Sequence, residues 1–148
     1  MKKRILFLVF SFFTCLTDIY AQNDTSNSTA KVYLIRGTGL QGCLTNFRVL
    51  INDSVYCKLA NNRYSILDIK PGQYTFYVTT WDAPRKRIKQ GLEMPLDAGK
   101  TYYLRLVIKV KFGEITNYFE EITGNSAKLL LAKYKLETNN NNNNNLKD

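Results

Sequence analysis

The sequence predicts an all-β fold: a small antiparallel β-sandwich or open barrel of about seven to eight strands, with a short C-terminal helix. Three observations predict it. Apolar and polar residues alternate with a period of two through most of the chain. The breaks between alternating runs carry Gly, Pro, Asn and Asp, the residues of tight turns. Only one stretch, near the C-terminus, has helical character.

The clearest strand is Thr101 to Phe112. Tyr102, Leu104, Leu106, Ile108, Val110 and Phe112 share one face, and Tyr103, Arg105, Val107, Lys109 and Lys111 the other. Ile88 to Leu96 repeats the pattern, with Ile88, Leu92, Met94 and Leu96 set against Lys89, Glu93 and Pro95. Pro95 has no N–H for a ladder, which suits an edge or a strand end. Val32–Arg36, Phe47–Asn52, Val55–Leu59, Tyr64–Ile69, Gln73–Trp81 and Glu114–Ile122 are further strands, rich in β-branched and aromatic residues. Asn52-Asp53-Ser54 suits a tight hairpin, and Lys70-Pro71-Gly72-Gln73 a type II turn. Asp97-Ala98-Gly99-Lys100 and Phe112-Gly113-Glu114 are similar punctuation. Ser126 to Leu136 reads as a short helix capped by Asn125 or Ser126, with a last strand as the alternative. Tyr64, Tyr74 and Tyr102 are expected at core or cross-strand positions, and Tyr77 and Tyr103 on the opposite faces, where they would mark a contact patch.

Residues 1–21 are set apart from this pattern. Lys2, Lys3 and Arg4 precede an apolar run from Ile5 to Phe13, and Tyr20-Ala21 precedes Gln22. A basic start, a short apolar run and a small residue at the cut form a signal peptide. The run is too short for an anchor, because spanning a bilayer takes about 20 residues. Cleavage after Ala21 is expected; attachment of a lipid at Cys15 is the lesser alternative, since Phe12-Phe13-Thr14 are not the small residues that precede a lipidated cysteine. Residues 22–30 form a polar leader, 31–137 a single β domain, and 138–148 an Asn-rich tail that cannot bury apolar surface. Export places the domain in the periplasm, at the outer membrane or outside the cell. The chain beyond Ala21 holds 18 basic and 11 acidic residues, a net charge of +7. Such a balance attracts anionic surfaces, among which export disfavours nucleic acid.

The chain has no histidine. The Ser–His and Cys–His pairs that activate most nucleophiles are therefore absent, as is the commonest zinc ligand. Carboxylates fall mostly in turns or on outward faces, and the adjacent Glu120 and Glu121 point to opposite faces of their strand. No catalytic residue, metal site or cofactor is expected; a carboxylate-dependent hydrolase is the weakest alternative. Cys43 and Cys57 are a candidate disulfide in an oxidising compartment, with two separate thiols as the equal alternative. Trp81, Arg85, Lys86, Arg87 and Lys89 form the densest basic cluster. A basic loop beside a tryptophan suits an anionic glycan or lipid headgroup; a solvated connection with Trp81 capping the core is the competing reading. Gly37-Thr38-Gly39-Leu40-Gln41-Gly42 resembles a nucleotide loop only superficially; no helix signal follows it, so it reads as a flexible loop.

Several segments together resemble a known family: Val32-Tyr33, Phe47-Arg48-Val49-Leu50-Ile51-Asn52-Asp53, Tyr64, Pro71-Gly72-Gln73-Tyr74 and Gly99-Lys100-Thr101-Tyr102-Tyr103-Leu104. Their order resembles the bacterial domain of unknown function 2846, over roughly Lys31 to Ile122. The resemblance implies an exported β-rich protein or lipoprotein, and its turn-and-strand motifs specify fold more than function. The functional expectation is a non-enzymatic module of the cell envelope that binds a protein partner or an envelope glycan or lipid. A purely structural accessory domain of a surface complex is the alternative.

Overall fold

The computed structural model describes residues 28–40, 42–80 and 90–137. The expected signal peptide, most of the leader, the Asn-rich tail and the segment 81–89 lie outside the described residues. Among the described residues nine strands form two sheets, packed as a sandwich rather than closed into a barrel. The strands are β1 (Ala30–Arg36), β2 (Phe47–Ile51), β3 (Ser54–Leu59), β4 (Arg63–Ile69), β5 (Gly72–Thr80), β6 (Leu92–Leu96), β7 (Thr101–Lys111), β8 (Glu114–Glu121) and β9 (Lys135–Leu136). One helix, α1 (Gly124–Lys133), separates the last two strands. The larger sheet has the order β8-β7-β1-β4-β9, and the smaller one β3-β2-β5-β6.

Alternation dictates the core. Ala30, Val32 and Leu34 of β1, Phe76 and Val78 of β5, Met94 and Leu96 of β6, and Leu104 and Leu106 of β7 are buried in one cluster between the sheets. Full burial of such a side chain contributes about 1.5–3 kcal/mol. Tyr74 and Tyr102 pack against this cluster, as expected. Tyr64 takes the expected cross-strand alternative: on the outward phase of the larger sheet it joins Tyr33 and Tyr103, whose row has ring centroids 6.4 Å (Tyr64) and 5.0 Å (Tyr103) from Tyr33.

The pairing is not wholly antiparallel. β1 runs parallel to β7, and β4 parallel to β9. The second pair arises from α1. The chain leaves β8 at one edge of the sheet, crosses its outer face as a helix, and adds β9 at the other edge. A β-carbon on Gly124 would stand 3.5 Å from the Tyr103 ring, and one on Gly37 would meet the Tyr134 hydroxyl group. Ala127 of α1 is fully buried. Tyr103 is therefore packing beneath the helix and not a free contact patch. The helix cap is Thr123, two or three residues before the expected Asn125 or Ser126, because Thr123 Oγ1 accepts from the Ser126 amide at 3.3 Å. It stops at Lys133, and β9 occupies the end of the expected helix.

Turn chemistry settles the hairpins. Asn52 and Asp53 both take left-handed φ values, 47° and 66°, as a two-residue hairpin loop requires. Gly99 takes φ 73° between β6 and β7. Gly72 does not fill the expected type II turn. Its φ is 155°, and it pairs with Leu96 as the first residue of β5. Among the described residues no helix is long and apolar enough to cross a membrane.

Candidate functional site

Register brings three chain segments to one end of the sandwich. β1 ends at Arg36, and its pairing with β7 ends at Ile35–Arg105. From there β7 continues to Lys111 paired with β8 alone. The connection 37–46 leaves β1 at this end and re-enters at Phe47, which pairs with Thr80 at the end of β5. The segment with Trp81, Arg85, Lys86, Arg87 and Lys89 follows Thr80; these residues lie outside the described ones.

Arg36 organises the end. It continues the inward phase of Val32 and Leu34, and it is fully buried. Nη1 donates to the Leu59 carbonyl at 2.6 Å, and Nη2 to the Gly42 carbonyl at 2.7 Å. The guanidinium carbon lies 4.5 Å from the Phe47 ring centroid, a cation–π contact. Desolvation lowers its pKa, but an arginine keeps its charge at neutral pH. Asn61 forms a second clasp: its Oδ1 accepts from the Thr38 amide and hydroxyl at 3.1 and 3.0 Å, and its Nδ2 donates to the Gly39 carbonyl at 2.8 Å. Thr45 N–H also donates to the Gly42 carbonyl, at 2.9 Å. The Gly-rich segment expected to be a flexible loop is thus fixed at several points.

The fixed loop displays two large apolar side chains. Leu40 is 92 % exposed and Leu44 95 %. A β-carbon on Gly42, between them, would stand 3.1 Å from Ile108 Cδ1, so the loop rests on β7. Beyond Ile108 the same strand carries Val110, opposite Ile115, and ends in the Phe112-Gly113 turn. Val110 is 59 % exposed, Ile115 68 % and Phe112 96 %. Lysines line the other phase. Lys109 Nζ lies 5.0 Å from the Tyr118 ring centroid, and Lys111 Nζ 5.7 Å from that of Phe112. Hydrogen bonding to the Tyr118 side chain raises the Lys109 pKa, which keeps it cationic. An open cleft of about 220 Å³ lies between Gly37-Thr38 and the segment Arg105 to Ile108. That is below the range of about 300–1,000 Å³ usual for small-molecule sites.

The two cysteines are not joined. Cys43 is exposed in the loop, whereas Cys57 is buried on β3. Burial pushes the Cys57 thiol up to about 12, with the Ser65 side chain opposing the shift through a hydrogen bond. Arg105 pairs with Glu120 across β7 and β8, with Nε to Oε1 at 2.8 Å, so one of the adjacent glutamates is neutralised. Among the described residues no group of three His, Cys, Asp or Glu side chains converges.

Sequence reasoning missed Arg36, Leu40, Leu44 and Phe112. A signal existed for Phe112: Phe-Gly stands in a two-residue turn where Asn-Gly or Asp-Gly is the rule. Arg36 was signalled by its place in the apolar phase of β1. Nothing local marks Leu40 and Leu44 as exposed.

No curated protein matches this chain. A family model described as protein of unknown function DUF2846 matches residues 26–118, from before β1 into β8. The chain belongs to the DUF2846 family, and the match spans the clasped loop, the whole smaller sheet and the protruding hairpin tip.

Proposed function

We propose that this protein is an exported, non-catalytic module of the cell envelope, which presents the loop end of its sandwich to an envelope partner. The observation that carries this reading is the near-complete exposure of Leu40, Leu44 and Phe112 at one end, on segments anchored by Arg36 and Asn61. Single exposed apolar residues are ordinary on protein surfaces. Several gathered at one end, beside lysines, mark a contact surface. The basic start, apolar run and Ala21-Gln22 junction support export.

Export is tested by expressing the chain with its own leader and determining the N-terminus of the product by mass spectrometry. A mature start at Gln22, or within a few residues of it, is expected. An intact Met1 on protein in the cytoplasmic fraction overturns the reading, and a lipid on Cys15 replaces cleavage after Ala21.

A further inference from the structure

Two turns of the same kind are filled differently. Asn52-Asp53 closes β2–β3 with φ values of 47° and 66°, and Phe112-Gly113 closes β7–β8 with 50° and 79°. Asn and Asp accept left-handed backbone readily, whereas a bulky side chain there is an outlier. Phe112 gains little from the fold in return: it is 96 % exposed, and the contact its ring makes is with the Lys111 ammonium 5.7 Å from its centroid. The residue costs stability and touches almost nothing, which points to a use outside the fold.

We propose that the Phe112 turn, together with Leu40 and Leu44, is a membrane-docking tip that inserts into the interface of an anionic lipid bilayer. The proposal rests on the reading of this end as partner-facing and names the partner's chemistry. Lipid is favoured by the form of the apolar groups. They project from two separate segments, so they suit a fluid layer that closes around each of them. From Ile108 to Phe112 the hairpin extends about 13 Å at the rise of a strand, enough to enter the boundary between headgroups and acyl chains. Charge agrees. Lys109 and Lys111 stand on the other phase of the same hairpin, beside the apolar tip, where headgroup phosphates would lie. The acidic residue of the tip is Glu114, paired in register with Lys111. Aromatic insertion with flanking lysines gives binding in two parts, an apolar part insensitive to salt and a cationic part that salt screens.

The test is co-sedimentation of residues 22–148, which contain every described element, with vesicles of phosphatidylglycerol and phosphatidylcholine in equal parts. Omitting residues 1–21 removes an apolar run that would bind lipid on its own. Wild type is expected to sediment at low salt, more weakly as salt rises. Phe112→Asn preserves the turn and lowers the partition coefficient about tenfold, as loss of one inserted aromatic side chain implies. Leu40→Ser/Leu44→Ser/Phe112→Asn leaves the protein in the supernatant. Lys109→Ser/Lys111→Ser weakens the preference over pure phosphatidylcholine vesicles. Wild type that stays in the supernatant at low salt overturns the proposal, and so do apolar variants that sediment like wild type. Protein that ignores vesicles yet is retained by delipidated envelope also overturns the lipid assignment, while leaving the envelope reading intact. An uncleaved cytoplasmic product would remove the envelope reading whatever the vesicles show.

Discussion

The Arg36 guanidinium donates from Nη2 to the Gly42 carbonyl at 2.7 Å, tying the end of β1 to the middle of a loop whose leucines face water. The same side chain holds the Leu59 carbonyl and lies over Phe47. A buried cation carries a desolvation cost, and hydrogen bonds to a charged group contribute about 1.5–3 kcal/mol each. Two such bonds and the Phe47 ring offset that cost at the Nη atoms, while the buried Nε has no hydrogen-bond partner among the described residues.

Arg36→Met keeps the bulk and removes both bonds. It is expected to lower stability by about 1–3 kcal/mol, read by urea unfolding. The Thr45 amide, bonded to Gly42, should exchange faster with solvent. Unchanged stability together with unchanged exchange would show that Arg36 does not hold the loop.

Phe112→Asn is expected to stabilise the fold by about 1 kcal/mol, because asparagine accepts φ 50° and the phenyl ring makes little contact to lose. The gain appears as a higher urea midpoint with an unchanged slope. A loss of stability would mean that the ring supports the hairpin.

Cys57 gives an alkaline signature. Its thiol is pushed from the ordinary 9.0 up to about 12 by burial. Below pH 9.0 the thiol is protonated in folded and unfolded chains alike, and its contribution to stability is constant. Between 9.0 and about 12 the unfolded chain releases the proton while the folded chain keeps it. Stability should then fall with rising pH, by about 1.4 kcal/mol per unit. Tyr56, raised mainly by burial, adds to the same arm, so Cys57→Ala should reduce the slope without abolishing it. At about pH 8 a thiol reagent should modify Cys43 quickly and Cys57 only on unfolding. Two fast thiols would contradict the burial of Cys57, and none would indicate a bond between the two.

Much of the fold was legible because strand period and turn residues are local properties. Alternation placed Leu104 and Leu106 in the core and Asn52-Asp53 in a hairpin. It could not show where the opposing surface stops, so Val110 and Phe112 share the face of Leu104 but not its burial. The parallel pairs β1–β7 and β4–β9 join residues distant in sequence, and no period records such pairing. The helix cap was misplaced by two or three residues because Thr123, Asn125 and Ser126 are all good cap residues, and only geometry selects Thr123. The site was less legible than the fold. The basic cluster from Arg85 to Lys89 was conspicuous in the sequence, whereas the loop end is assembled by Arg36 and Asn61 across residues far apart in the chain.

Retention on washed envelopes from the protein's own cells measures whether this end faces a partner. Wild type and Leu40→Ser/Leu44→Ser/Phe112→Asn are compared at equal concentration, after circular dichroism shows the same β-dominated spectrum for both. Wild type is expected to sediment with the envelopes and the triple variant to stay in solution. Equal retention of the two would contradict the assignment of the loop end as the binding surface.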